Sequence, residues 1–433
     1  MKPTSEVTAC VVDNGLFLPL AERLTREYSR VLYFSPWERG FSTVNEATVG
    51  DGIPGVERCK DIWEVKDEVD LWVFPDIQHS GLQLELESQG RAVWGARSGD
   101  ELELNRELFL GVLRDVGLDV PKFKVVRGIT ALRNEIWDNE DKYVKISRYR
   151  GSLETFHWRS WKLDENFLDL LAVRFGAVRE LVKFLVFDSI DTPLEIGGDT
   201  YGVDGRWPSP MLHGIEAKDK GYFGAVTDTE QMPDQIKAVL DAFKPILNRY
   251  RYRNFWSMEV RVTDNAAFFI DPTCRMGLPS SSSQMELWGN LGEIIWAGAH
   301  GELVEPQPTA MFSAEVLLKI KADRGGNWRK CEIPPALRRW IKFSGHCEVD
   351  GLAWFAPDED NDGACGWLVA TGDNPKEVLE TIKEYIAELP DGLTADPAPL
   401  AEVIDAIDKG EQQGIEFAQK PMPEASAVLE PTL

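Results

Sequence analysis

Three short stretches of this 433-residue chain place charged or hydroxyl side chains where an apolar run ends. The first is YVKISRYRGS, in which Lys145 lies at the end of an apolar strand and Arg148, Arg150, Gly151 and Ser152 follow in a loop. Glycine lets the backbone approach an oxyanion, the loop N–H groups and a serine hydroxyl supply donors, and lysine supplies a point charge, so the combination suits phosphate. A solvated turn bearing surface cations has the same composition, and the stretch gains meaning only in company. The second is a pair of β runs, one ending Met258-Glu259-Val260-Arg261 and the other Ile270-Asp271-Pro272-Thr273-Cys274-Arg275, around a turn at Thr263-Asp264-Asn265. A carboxylate among apolar neighbours needs a cation or donors to offset its desolvation, so Glu259 and Asp271 across a hairpin suit Mg²⁺ on nucleotide phosphates. Ion pairs with Arg261 or Arg275 would satisfy them as well.

The third stretch is ELVKFLVFD, an apolar strand with Lys183 at its middle and Glu195 a short way downstream. Exposed backbone groups on such a strand can read an adenine edge while apolar side chains sandwich the ring and a carboxylate accepts ribose hydroxyls. An ordinary core strand with one snorkelling lysine reads the same way. His213 and His157 are candidate general bases. The run Ser280-Ser281-Ser282-Ser283 is either an acceptor-pocket lining or a polar loop, and the dispersed Trp158, Trp161, Trp207 and Trp288 read as packing.

Alternating strand and helix patterns must position these groups. VTACVV at 7–12, the Asp13-Asn14-Gly15 turn and LPLAERLTREY read as strand, turn and helix, and VLYF, DLWVFP and AVWG continue the alternation of a parallel α/β domain. Residues 100–117 have a helical period ending at Gly117. From 141 onward strand, loop, strand, a helix at 165–178 and a further strand form an α+β unit. Residues 198–227, rich in Gly, Pro and aromatics, read as irregular strands and loops before a helix at 233–248, and GWLVATG with PKEVLETIKEYIAEL closes a third domain. A formal net charge of −25 disfavours nucleic acid and anionic membranes as partners, and no apolar run approaches a membrane span. The six cysteines form no CxxC pair, so reduced thiols and a cytoplasmic location are expected.

In this order the pieces resemble the ATP-grasp superfamily, similar to D-alanine:D-alanine ligase and more loosely to glycinamide ribonucleotide synthetase, over about residues 98–290. The resemblance implies an ATP-grasp fold of α/β and α+β parts. Its parts would be an N-terminal Rossmann-like pre-ATP-grasp domain (1–97), an ATP-grasp domain (98–310) with a mobile nucleotide-binding lobe (141–195), a small C-terminal α+β domain (311–415) and a flexible tail (416–433). It implies ATP contacts from Arg106, Lys145, Arg150, Gly151, Ser152, Lys183, Phe184, Leu185 and Glu195, with an apparent insertion before Glu195. It also implies Mg²⁺ held by Glu259, Asp271 and Thr273, and Asp271 and Arg275 as catalytic groups. Val182 stands where the family often has a glutamate for the adenine amino group, with Glu180 only a partial substitute, and Thr273 where an asparagine usually ligates metal. The implied activity is an ADP-forming carboxylate–amine ligase that works through an acyl phosphate on small molecules, amino acids or nucleotide-linked compounds among them. A homodimer is compatible with the resemblance, and an ATP-grasp kinase or a catalytically degenerate ATP-binding protein are the alternatives.

Overall fold

The Val-rich run at the N-terminus forms β1 (Thr8–Val12), the centre of a parallel sheet with β2 (Arg30–Phe34), β3 (Val56–Cys59), β4 (Leu71–Val73) and β5 (Ala92–Trp94). The structure, a computed structural model, describes residues 1–38, 46–147, 155–190, 194–217, 220–321, 328–356, 363–400, 403 and 412. Arg148, Arg150, Gly151, Ser152 and the expected tail lie outside the described residues. The sheet order is β3-β2-β1-β4-β5, so the direction of winding changes between β1 and β4 and opens a crevice at their carboxyl ends. Asp13 and Asp76 stand there. Asp13 accepts the Gly15 and Phe17 N–H groups and the Tyr33 hydroxyl, each at 2.9 Å, and burial with the nearby Asp76 charge lifts its pKa to about 6.

The helical period at 100–117 forms two helices, Glu101–Leu104 and Arg106–Asp115. Asn105 interrupts them, because its side chain caps the second by accepting the Leu108 N–H at 3.3 Å. A lobe follows, built on β6 (Phe123–Arg127), β7 (Lys142–Ile146), β8 (Thr155–Trp158) and β9 (Lys183–Asp188) in the antiparallel order β6-β9-β7-β8. Its sheet therefore begins at 123, before the 141 expected. Helices Ile129–Ile136 and Trp161–Phe175 bury Leu132, Ile136, Leu168 and Leu171 against Val144, Ile146 and Phe184, which leaves Tyr143, Lys145 and Phe187 on the opposite face.

Residues 198–227 depart from the irregular reading. They belong to three paired strands, β10 (Leu194–Val203), β11 (Met211–Ala217) and β12 (Gly221–Thr227). Glycine weakens intrinsic strand preference, and here cross-strand pairing overrides it. With β13 (Arg253–Val262) and β14 (Ala267–Thr273) they form half of a nine-stranded sheet. The sheet continues without interruption from β12 into β15 (Phe312–Ile320), so the third domain expected from 311 shares its main sheet with the segment before it. β20 (Ala364–Gly372), β17 (Ile341–Phe343) and β21 (Leu393–Ala395) complete that sheet, while β16 (Arg329–Glu332), β18 (His346–Val349) and β19 (Leu352–Phe355) form a separate small one. Helix Asp234–Tyr250 presents Ile236, Val239, Leu240, Phe243 and Leu247 at helical spacing to Ile196, Trp256 and Met258, covering one face of the large sheet. The other face is left to the site. The six cysteines are free and buried, and among the described residues no helix is long and apolar enough to cross a membrane.

Candidate active site

The exposed face of the lobe sheet looks across a cleft at the uncovered face of the large sheet. Leu110, Tyr143, Phe187, Ile190 and Phe269 give it apolar walls, and Lys145, Asp188, Glu195, Glu216, Glu259, Arg261 and Asp271 give it charge. Lys145 Nζ donates to Asp271 Oδ2 at 3.1 Å, and the Arg106 guanidinium, from the first turn of helix Arg106–Asp115, takes Asp271 Oδ1. Burial alone would raise the Asp271 pKa. Arg106 and Lys145 outweigh it and hold the carboxyl well below the usual range, while burial and the neighbouring Arg106 pull Lys145 below an ordinary lysine.

A β-bulge aims Asp271. From the turn outward the register pairs Val260 with Phe269, and continued regularly it would set residue 271 opposite Met258, whose side chain packs in the core beneath helix Asp234–Tyr250. The register shifts between Glu259 and Val260, so Asp271 instead faces Glu259 and turns into the cleft. The expected pairing of these carboxylates is present, through a bulge rather than a plain hairpin.

The structure brings together Arg106, Lys145, Glu195, Glu259 and Asp271. Glu195 accepts from Arg261 Nε at 2.8 Å, and that guanidinium lies 5.7 Å from the Tyr143 ring centre. Thr273, paired with Ser257, lines an adjoining cavity. Arg275 stands away from the cleft lining, bound to Glu103 at 3.1 Å and 3.7 Å from Asp76 at the crevice of the N-terminal sheet.

The segment expected to contact adenine does not line this cleft. Lys183 is half-exposed and pairs with Glu107 at 2.5 Å. Phe184 and Leu185 are fully buried, and β9 is hydrogen-bonded to β6 on one side and β7 on the other, so their backbone groups are engaged in the ladders. The cleft meets the chain further on, at Phe187, Asp188 and Ile190. Neither candidate general base lines it: His157 pairs with Asp141 at 2.6 Å, and His213 is buried, its pKa lowered by burial to about 4. The serine run is buried and opens the helix Ser281–Leu287.

Sequence reasoning missed Asp188, Asp199, Glu216 and Tyr222. The available signal was the glycine-rich alternation of 197–224, which exposes one sheet face to close approach. Among the described residues no group of three His, Cys, Asp or Glu side chains is placed to hold a metal. Glu259 and Asp271, facing each other across β13 and β14, are nevertheless donors of the kind that suits Mg²⁺, which commonly takes one or two carboxylates and completes its shell with water and phosphate.

No protein-family model matches the chain, and no curated protein matches it at a significant level. Solved structures do. Phosphoribosylamine–glycine ligase from Thermotoga maritima is similar with a TM-score of 0.65 at 14% identity, over 90% of this chain and 99% of that one. Biotin carboxylase from Campylobacter jejuni, in a β-γ-ATP complex, gives 0.65 at 15% over 94% and 97%, and L-amino acid ligase from Bacillus licheniformis 0.59 at 15% over 90% and 99%. Together with the two facing sheets and the carboxylate pair between them, these likenesses show that the chain has the ATP-grasp fold.

Proposed function

We propose that the chain is an ATP-dependent ligase that activates a carboxylate as an acyl phosphate and transfers the acyl group to an amine. The observation that carries this reading is the convergence of Lys145 and Arg106 on Asp271, registered opposite Glu259 in the cleft. ATP lies between the sheets, its base against Phe187 to Ile190 and its phosphates at Lys145 and Arg106. Asp188 supplies the carboxylate for the adenine amino group that Val182 lacks, and Glu195 then follows for the ribose. Glu259, Asp271 and Thr273 would hold Mg²⁺, which supplies neutralising charge on the phosphates when bound.

A substrate carboxylate oxygen attacks the γ-phosphorus and ADP leaves. The amine nitrogen then attacks the acyl carbon, phosphate leaves and the nitrogen gives up a proton. The chain's own part is positioning and electrostatics. Lys145 and Arg106 neutralise charge on the transferring group, Arg275 faces the carboxylate substrate from the N-terminal crevice, and Arg150, Gly151 and Ser152 remain the further phosphate contacts that the resemblance implies. Two of the similar structures are of proteins named as ligases of amino acids or of an amine with glycine, which supports acyl transfer over simple phosphorylation.

The test is ADP release by the purified chain with Mg²⁺ and ATP, challenged with pools of carboxylates and amines, beside Asp271→Ala. Substrate-dependent ADP formation that the variant lacks, with hydroxylamine trapping a hydroxamate, is the expected result. A stable phosphoester without hydroxamate would identify a kinase instead, and failure to bind Mg-ATP would overturn both.

A further inference from the structure

The contact between the two ends of the chain gathers cations around a single carboxylate. Arg26 lies in the turn just past helix Leu18–Leu24, Arg339 in the turn before β17 and Lys342 within β17. All three converge on Glu286 of helix Ser281–Leu287. Glu286 Oε1 accepts from Arg26 Nη2 at 3.0 Å and Lys342 Nζ at 2.6 Å, and its Oε2 from Arg26 Nη1 at 3.0 Å and Arg339 Nε at 2.7 Å. One buried carboxylate thus faces three cations, and two positive charges are left without a match in a chain whose formal net charge is −25.

Above this cluster opens a groove of about 430 Å³, lined by Arg23, Arg26, Glu27, Glu286, Thr309 and Arg339 among others. Two of these side chains are occupied with each other and with the backbone. Arg23 donates to Glu27 at 2.7 Å and to the Met285 and Trp288 carbonyls at 2.7 and 3.0 Å, and Glu27 also accepts the Gly292 N–H at 2.9 Å. Arg26 and Arg339 differ, with side chains 39% and 51% exposed. Arg339 is bound through Nε alone, and its two Nη groups make no hydrogen bond among the described residues. Arg26 keeps its Nε–H and the outer Nη hydrogens. Glu286 fixes both guanidiniums in orientation, and the Trp340 ring, 4.6 Å from the Arg339 guanidinium carbon, packs against one of them. Arg338, held by Glu22 and Glu348, does not line the groove.

We propose that this groove is an anion site separate from the nucleotide cleft, taking a phosphate group between Arg26 and Arg339. A guanidinium offers parallel N–H donors that match two oxygens of a phosphate. A phosphate monoester near neutral pH carries about 1.5 to 2 negative charges, which balances the two positive charges that Glu286 leaves unmatched. A carboxylate would match one guanidinium and only half of that charge. The groove shares no lining residue with the cleft around Lys145 and Asp271, so the site stands whether or not the ligase reading does. Its donors come from the two ends of the chain, and a bound phosphate would tie together the same segments that Glu286 joins.

The test is equilibrium dialysis of the full chain against radiolabelled inorganic phosphate, with excess of a non-hydrolysable Mg-ATP analogue present and ionic strength held constant with chloride. Saturable binding is expected. Glycerol phosphate and unlabelled phosphate then compete for the label: displacement at lower concentration by the first marks a monoester site, and by the second a site for the free ion. Arg339→Gln should weaken binding about tenfold, the effect of losing one charged hydrogen bond. That side chain is half-exposed and gives Glu286 one hydrogen bond of four, so the variant keeps its fold, and Arg339→Lys, which retains the charge without the fork, should lose affinity several-fold. Lys145→Ala, in the nucleotide cleft, should bind phosphate as the parent does. No saturable binding, displacement by chloride as readily as by glycerol phosphate, unchanged affinity in both Arg339 variants, or loss of binding in Lys145→Ala overturns the site.

Discussion

The Tyr222 hydroxyl donates to Asp199 at 2.7 Å by laying its ring over Gly214 and Gly224, positions where any side chain would collide with it. This contact links the composition of a segment to its purpose. Tyr222→Phe removes one of three hydroxyl donors to a buried carboxylate, and a loss of about 1–3 kcal/mol is expected. Gly214→Ala drives a methyl into the ring and should cost at least as much, by overpacking together with loss of the same hydrogen bond. Urea unfolding of both variants checks the order, and a neutral Gly214→Ala would show that Tyr222 is free to move off the two glycines.

Asp271 carries a second prediction. Asp271→Asn keeps the shape and removes the charge that pairs with Lys145 and Arg106, so substrate-dependent ADP formation should fall by about a hundredfold or more, as when an oriented electrostatic group is lost from an active site. A linked stability effect should follow. The folded Asp271 pKa is depressed, so its stabilisation is present above the unfolded carboxylate value and is lost as pH falls through the lower folded one. The variant should therefore have a flatter acid limb in unfolding free energy against pH, and acid limbs of equal slope would contradict the pairing.

A third prediction concerns the join between the ends of the molecule. Glu286 is fully buried as a side chain and takes Lys342 at 2.6 Å, Arg339 at 2.7 Å and Arg26 with both oxygens at 3.0 Å. Burial would raise its pKa, yet Lys342 and Arg26 bring it down to about 2. The sign of linkage makes this stabilisation complete above about pH 4.3, the unfolded glutamate value, and lost as pH falls towards 2. Glu286→Gln strands a buried lysine and should cost about 3–5 kcal/mol, whereas adding Lys342→Met should recover part of it. Denaturant midpoints of the single and double variants decide, and additive losses would disprove the coupling.

The alternating N-terminal strands could be read because buried parallel strands are continuous apolar runs, as in VTACVV and DLWVFP. Lys145, Glu259 and Asp271 stood out because charge at the end of an apolar run is conspicuous. Pairings between distant segments left no such mark. β12 meets β15 across some ninety residues, and nothing in either strand announces the other. The bulge that aims Asp271 is a one-residue shift invisible to an alternation count. Asp199 and Tyr222 were hidden among glycines whose low strand preference disguised the strands carrying them.

The nucleotide base provides the last prediction, because the sequence resemblance and the reading proposed for the cleft put it on different residues of one strand. A lysine inside an apolar run drew attention to Lys183, but that side chain turns outward to Glu107, and β9 keeps its backbone occupied on both sides. Asp188, at the end of the strand, lines the cleft and is held at 2.7 Å by Lys142 and 3.1 Å by Lys122, so both oxygens are already oriented. Asp188→Ala should weaken Mg-ATP binding about tenfold, the equivalent of one hydrogen bond to a charged acceptor, and should weaken Mg-GTP less, since guanine presents a carbonyl where adenine presents an amino group. Lys183→Ala should leave the ATP dissociation constant within about twofold, as expected for a solvent-screened ion pair. Isothermal titration of the two variants with Mg-ATP separates these positions: the reverse order of effects would return the base to Lys183 and require the lobe to rearrange around it.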